Sequence, residues 1–283
     1  MTALDLHGRT CLVTGASSGI GAETARELAH RGATVLLVAR DRGRGEAAAR
    51  TIRHAASAGT IVLLVADLSS LVAVRRLAAT VIARHDRLDV LINNAGVALS
   101  ARRLTADHLE TTFATNYLGP FLLTNLLLDL LRRSGPARIV NVASDTHRRV
   151  RAIPWDDLQG ERGYRGHAAY NLSKLLLILF TRQLAERLAD TTVTANCLHP
   201  GWPLRTRLDR DARGAFRLFS AASKYFAPPV ARGARTSIYL ATSPEVARVS
   251  GRYFTDCRPV ELSPLARDAA AGARLWQCSE ELC

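Results

Sequence analysis

Two groups of residues in this chain have types and spacing that could do chemistry. One is the segment Thr14-Gly15-Ala16-Ser17-Ser18-Gly19-Ile20-Gly21; the other is Ser144, Tyr170 and Lys174. Glycines let a backbone turn tightly and come close to a pyrophosphate, and the N–H groups of a helix start then meet its charge. Tyr170 and Lys174 stand four apart, so on a helix they share a face. A buried ammonium beside a phenol favours phenolate and lowers the tyrosine from its ordinary value of about 10. Such a tyrosine can give a proton to a ketone oxygen or take one from an alcohol. Ser144 would hydrogen-bond the same oxygen. Singly, each signal has a plainer explanation, a structural glycine turn or a helical tyrosine beside a snorkelling lysine. Together they imply nicotinamide-dependent carbonyl/alcohol redox chemistry.

The elements that must position these residues alternate along the chain. Apolar runs at Thr10–Thr14, Thr34–Ala39, Thr60–Ala66, Leu88–Asn93, Arg138–Ala143 and Thr192–Leu198 read as strands, and their weak alternation suits strands covered on both faces. Helical periodicity fills the gaps, over Gly19 to Arg31, Gly43 to Ala56, Leu71 to His85, Thr111 to Arg133 and Ala168–Leu188. Gly32 stops the first helix. A helical excursion from Pro203 to Phe226, a helix at Arg232–Ala241 and a last strand at Gly251–Phe254 follow. Strand–helix–strand alternation means parallel strands with right-handed crossovers. The expected fold is α/β: a Rossmann-type, doubly wound, mainly parallel seven-stranded sheet with helices on both faces, in a single catalytic domain. Its substrate excursions would lie around residues 145–167 and 203–227. In this order the glycine segment joins a strand to a helix, as a dinucleotide site requires.

The second strand ends Val38-Ala39-Arg40. Sites that prefer NAD place a carboxylate there for the ribose 2′-hydroxyl. Arg40 instead offers a guanidinium suited to a 2′-phosphate. The expected cofactor is NADP(H), with Arg44 as a second phosphate contact and Asp41 orienting Arg40. A solvated surface arginine is the alternative.

Composition narrows the class. The chain has 283 residues, is 48% hydrophobic and carries a formal charge of +13, enough to bury a large core. Arginine is spread along the whole length without a nucleic-acid motif, so nucleic acid is not an expected partner. The cysteines Cys11, Cys197, Cys257, Cys278 and Cys283 lack metal-type spacing; no metal is expected, and a reducing compartment fits better than a disulfide framework. Apolar runs such as Leu175 to Phe180 fall far short of the ~20 residues of a membrane span. The first strand begins too early to leave room for a signal peptide. A cytoplasmic location is expected.

The whole pattern resembles the short-chain dehydrogenase/reductase family over nearly the entire chain. The landmarks come in order: Thr14–Gly21, Asp67-Leu68 after strand three, Asn93-Asn94-Ala95-Gly96 after strand four, Asn116, Ser144, Tyr170-Asn171-Leu172-Ser173-Lys174, and Pro200-Gly201. The resemblance implies a catalytic tetrad of Asn116, Ser144, Tyr170 and Lys174. Asn116 would hold a helix irregularity and a water linking Lys174 to solvent. The cofactor would lie on Gly15, Ser17, Ser18, Gly19, Ile20 and Gly21. Asp67 would meet the adenine amino group beside Leu68, and Asn94, Ala95 and Gly96 the adenosine ribose. Tyr170 and Lys174 would flank the nicotinamide ribose, and Pro200, Gly201 and Thr206 the carboxamide end. Trp202 and Pro203 would cap the nicotinamide or narrow the pocket, unless Trp202 only anchors the following loop.

The segment with His147, Trp155-Asp156-Asp157-Leu158 and Tyr164, the His199-Pro200-Gly201 turn and the tail Leu275-Trp276-Gln277-Cys278-Ser279 are similar to the retinol dehydrogenase-like branch. That likeness implies a small lipophilic aldehyde or ketone interconverted with its alcohol, in a monomer, homodimer or homotetramer. No N-terminal anchor of the kind many of that branch carry is expected. Alternatives are a tailoring ketoreductase of secondary metabolism and a non-catalytic NADP(H)-binding regulator on the same fold. His147 and His167 read as hydrogen-bonded loop histidines. Asp156 and Asp157 are expected to pair with Arg148, Arg149 or Arg151.

Overall fold

The computed structural model describes residues 5–56, 58–201 and 230–283. Its strands are β1 (Thr10–Thr14), β2 (Thr34–Ala39), β3 (Thr60–Val65), β4 (Val90–Asn93), β5 (Arg138–Val142), β6 (Thr194–His199), β7 (Tyr253–Thr255) and β8 (Arg258–Pro259). They form one sheet in the order β3-β2-β1-β4-β5-β6-β7-β8. Every pair is parallel except β7 with β8. The chain reverses direction of travel between β1 and β4, which opens a crevice at their C-terminal ends.

Among the described residues the expected seven strands are therefore eight. The extra one returns through Asp256 and Cys257, both at positive φ (49° and 63°), and consists of the exposed pair Arg258–Pro259. A two-residue exposed edge has no apolar period to read.

The helices are α1 (Gly19–His30), α2 (Arg42–Ala55), α3 (Leu71–Arg84), α4, α5 (Gly166–Arg187), α6 (Val230–Thr242) and α7 (Ala269–Leu282). Helix α4 runs from Thr111–Phe113 through a π-helical turn, Ala114–Leu118, into Gly119–Arg133. Alternate strand residues feed opposite cores. Leu12, Leu36 and Val38 join α3, α4, α5 and α7 on one face, while Cys11, Val13, Val35 and Leu37 join α1, α2 and α6 on the other. Cys11 and Cys197 act as buried strand hydrophobes.

A buried polar ladder fixes the strands that carry the candidate site to the helices above them. Asn93 Nδ2 donates to Asn141 Oδ1 (2.8 Å) and to Thr124 Oγ1 (3.0 Å), and Asn141 Nδ2 donates to Thr181 Oγ1 (2.8 Å). This joins β4, β5, α4 and α5 in one register, since breaking any link leaves a buried polar atom unpaired.

Helix α7 covers α5 and α4. Trp276 packs edge-on against Phe121 with centroids 5.1 Å apart and lies against Phe180. The fully buried Tyr117 hydroxyl meets Ser279 Oγ at 2.5 Å. The apolar face of Ala271, Leu275 and Trp276 follows helical spacing and starts at an Asp268 cap that accepts from Ala271 N.

Candidate active site

The glycine segment owes its shape to contacts with the end of β4. Gly15 adopts φ +66°, and a Cβ there would stand 2.8 Å from Ala95 Cα. At Gly21 a Cβ would stand 2.4 Å from Asn94 Nδ2 and 2.6 Å from Gly15 O. Asn94 Nδ2 donates to Thr14 O (2.8 Å), while Thr14 Oγ1 accepts from Asn94 N and Ala95 N. Asn94 and Thr14 thus staple β1 to β4 beneath the loop. Sequence reading placed Asn94 on a ribose and missed this role, which only the tertiary contact reveals. Ser18 occupies the N-cap of α1 without a side-chain bond to the helix, and no acidic residue stands in the first turn. Both facts leave the helix start suited to an anion. Ser17 and Ser18 are partly exposed, whereas Ile20 is buried.

At the end of β2, Ala39 is buried and Arg40 exposed. Asp41 does not orient Arg40. It caps α2 by accepting from Arg44 N (2.8 Å), and its carboxylate also meets the Arg44 guanidinium at 3.4 Å. The helix start claims this acid, and Arg44 is turned to it. Asp67 accepts from both Ser69 N (3.0 Å) and Ser69 Oγ (2.8 Å) through Oδ1. Leu68 buries its side chain in the core.

Ser144, Tyr170, Lys174 and Asn116 come together beyond β5. Lys174 is buried, its Nζ donates to Val142 O at 2.8 Å, and it stands 5.7 Å from the Tyr170 ring centroid. Tyr170 is partly buried, with its phenol beside the Ser144 side chain. Ser144 Oγ also accepts from Thr146 Oγ1 (3.2 Å). Asn116 sits fully buried inside the π-helical turn, as the resemblance implied for a helix irregularity. Its amide exchanges two bonds with the Val97 main chain, at 2.8 and 2.9 Å, and donates to Ser173 Oγ at 3.0 Å. A Cβ on Gly96 would lie 3.4 Å from Asn116 Oδ1 and 3.5 Å from Lys174 Nζ. Gly96 is thus where the two side chains converge.

Electrostatics depart from the expected phenolate. Burial pushes the Tyr170 phenol up to about 12, against the smaller lowering influence of the Ser144 hydroxyl. Burial also brings the Lys174 ammonium down to about 8. Desolvation disfavours the charged form of each group, and Nζ is held by a carbonyl under the ring. Tyr170 is therefore a neutral phenol, a proton donor, at neutral pH.

His147 is buried, with Nδ1 2.8 Å from Ser144 O and its ring edge-on to Tyr253, as a loop histidine supporting the turn. Asp156 pairs with Arg162 (2.5 Å) and Arg148 with Asp145 (2.7 Å), not with each other as expected; Asp157 accepts from Glu161 N and Arg162 N, a turn that carries Arg162 to Asp156. Gly201 adopts φ +94° beside Pro200. Trp202, Pro203 and Thr206, with the 203–227 excursion, lie outside the described residues. Among the described residues no cluster could hold a metal, and no helix is long and apolar enough to cross a membrane.

A glycine loop at the switch point, with tyrosine, lysine and serine gathered beyond β5, defines a dinucleotide-dependent oxidoreductase class. The short chain dehydrogenase family matches residues 9–215, and the chain belongs to it. Within that family it is retinol dehydrogenase-like: human retinol dehydrogenase 14 is 46% identical over 97% of this chain and 86% of its own length. An uncharacterized protein of Mycobacterium paratuberculosis has a similar structure, with TM-score 0.79, 38% identity and coverage of 98% of this chain and 93% of the other. The RhlG/NADP active-site complex of Pseudomonas aeruginosa is similar over 88% of this chain and 95% of its own, with TM-score 0.68 and 30% identity.

Proposed function

We propose that this protein is an NADP(H)-dependent oxidoreductase that interconverts a lipophilic aldehyde or ketone and its alcohol, with Tyr170 as the general acid/base. The observation that carries the reading is the buried Lys174 under the Tyr170 ring, with the Ser144 hydroxyl facing the same phenol. A bound nicotinamide would supply the hydride. The chain's own part is to hold the carbonyl oxygen between Ser144 and Tyr170, polarise it and deliver a proton to it. A phenol kept neutral up to about 12 is set to donate, which suits the reducing direction. Lys174 and Asn116 form the polar floor beneath it, from which the phenol is recharged with a proton.

The loop Gly15–Gly21 fits a pyrophosphate, because both close approaches to Asn94 and Ala95 exclude a side chain and the α1 start carries no competing acid. NADP(H) is favoured by Arg40 in the place of the acid, by the engagement of Asp41 at the α2 start, and by the NADP complex of the similar RhlG. Asp67, Leu68, Asn94, Ala95, Gly96, Pro200 and Gly201 would complete the cofactor site in one domain. The lipophilic substrate class rests on the likeness to retinol dehydrogenase 14.

The test is NADPH oxidation against a panel of aldehydes and ketones, with NADH in parallel and Tyr170→Phe as the control. Loss of about 10²–10⁴-fold is expected for a general acid–base group. Turnover near wild type in that variant overturns the mechanism.

A further inference from the structure

The segment between Ser144 and Tyr170 has no strand and, after the short turn Asp145–Arg149, no helix until Gly166. Something outside it must hold it in place, and the structure shows what. Glu110 is 1% exposed and caps α4, accepting from Thr112 N (2.8 Å) and Phe113 N (2.7 Å). The same carboxylate accepts from the Tyr164 hydroxyl at 3.1 Å. That hydroxyl also lies 3.3 Å from Leu99 O and 3.2 Å from Thr112 Oγ1. Glu110 N donates to Gln159 Oε1 (2.8 Å), and Arg102 Nε donates to Gln159 O (3.1 Å). Burial pushes the Tyr164 phenol up to about 12, so it stays a donor.

The clamp reaches the site through Leu99. A Cβ at Gly166, the first residue of α5, would fall 2.0 Å from Leu99 O. Tyr170 follows one turn later on the same helix, and Val97, two residues before Leu99, is bonded to Asn116. The loop after β4 and the 153–165 segment are therefore two walls leading to Tyr170, tied by the Gln159 bonds. They are locked at the Tyr164 hydroxyl, which reaches both Leu99 O and the buried Glu110 carboxylate.

We propose that Glu110 is a positioning residue which, through Tyr164, locks the 153–165 segment to the Leu99 loop and thereby sets the substrate wall beside Tyr170, making the pair specificity-determining for extended substrates. The proposal rests on the oxidoreductase reading for its substrate consequence. Its structural half stands separately.

Tyr164→Phe removes the locking hydroxyl and leaves the Glu110 cap of α4 in place, so it is the decisive variant; Glu110→Gln, which disturbs both, accompanies it. The readouts are amide hydrogen exchange over 98–103 and 153–165, and KM and kcat with NADPH for hexanal and for all-trans-retinal. In Tyr164→Phe we expect faster exchange in both segments. KM for the long aldehyde should rise about three- to tenfold, the scale of an ordinary net hydrogen bond, with a smaller change for hexanal and in kcat. Unaltered exchange overturns the clamp. Faster exchange with equal KM changes for both aldehydes overturns the specificity role. If the wild type reduces neither aldehyde with either nucleotide, the oxidoreductase reading fails, while the exchange comparison still decides the clamp.

Discussion

The wild-type protein should gain folding stability as pH rises above neutrality, and replacing Lys174 by methionine should abolish that gain. Lys174 falls from an ordinary 10.5 to about 8 because it is buried. The unfolded chain therefore holds a proton that the folded one has released, across the window from about 8 to 10.5. Stability increases wherever the unfolded state binds more protons, so the folded protein gains as pH rises through that window. Below about 8 both states are protonated and the full cost of the buried ammonium remains. That cost is about 3 kcal/mol in the limit, of which about 2 kcal/mol should be recovered between pH 7.5 and 10. Urea unfolding of wild type and Lys174→Met without nucleotide, at both pH values, isolates this group because the other titrations largely cancel. Wild type should gain about 2 kcal/mol more than the variant over the interval. Parallel pH dependences would refute the burial of a titrating lysine beneath Tyr170.

Three further outcomes are expected. Arg40→Ala should weaken NADPH binding by about tenfold to a hundredfold, the scale of a charge-assisted contact, and NADH far less; an unchanged ratio of the two dissociation constants removes Arg40 from its role. Gly21→Ala drives a Cβ to 2.4 Å from Asn94 Nδ2, so calorimetry should show nucleotide binding weakened at least about tenfold and Tm lowered, on the scale of overpacking; unchanged values contradict the close approach. Ser279→Ala leaves the buried Tyr117 hydroxyl without its partner and should cost about 1–3 kcal/mol in urea unfolding, whereas no loss would mean that α7 does not brace the π-helical turn.

Much of the fold could be read in advance because its strands are buried on both faces. Runs such as Thr34–Ala39 carry Val and Leu without a polar break, and the structure places a strand over those same residues. The glycine loop was legible for a related reason: a positive φ at Gly15 and a crowded Gly21 leave no other residue type comfortable there. Tyr170 and Lys174 share a helix, and their spacing told only in company with Ser144 and the glycine loop. What escaped reading depends on partners distant in the chain. Glu110 is a lone acid after a leucine, and nothing local marks it as the acceptor for Tyr164, 54 residues away. Asn93 and Asn141 look like strand interruptions until they are seen bonded to each other. The phenolate expectation failed because it counted the lysine's charge and not the desolvation that lowers lysine and raises tyrosine together. Helix α7 was within reach, since Ala271, Leu275 and Trp276 follow helical spacing behind an Asp268 cap.

The most direct test of the account is label transfer. NADPH carrying deuterium on the transferred face of nicotinamide C4 is incubated with the protein and a lipophilic aldehyde, and the alcohol is analysed by mass spectrometry. The account predicts one deuterium at the carbinol carbon with wild type and a rate at least about a hundredfold lower with Tyr170→Phe. Alcohol formed without the label, or equally fast labelling by Tyr170→Phe, would contradict it.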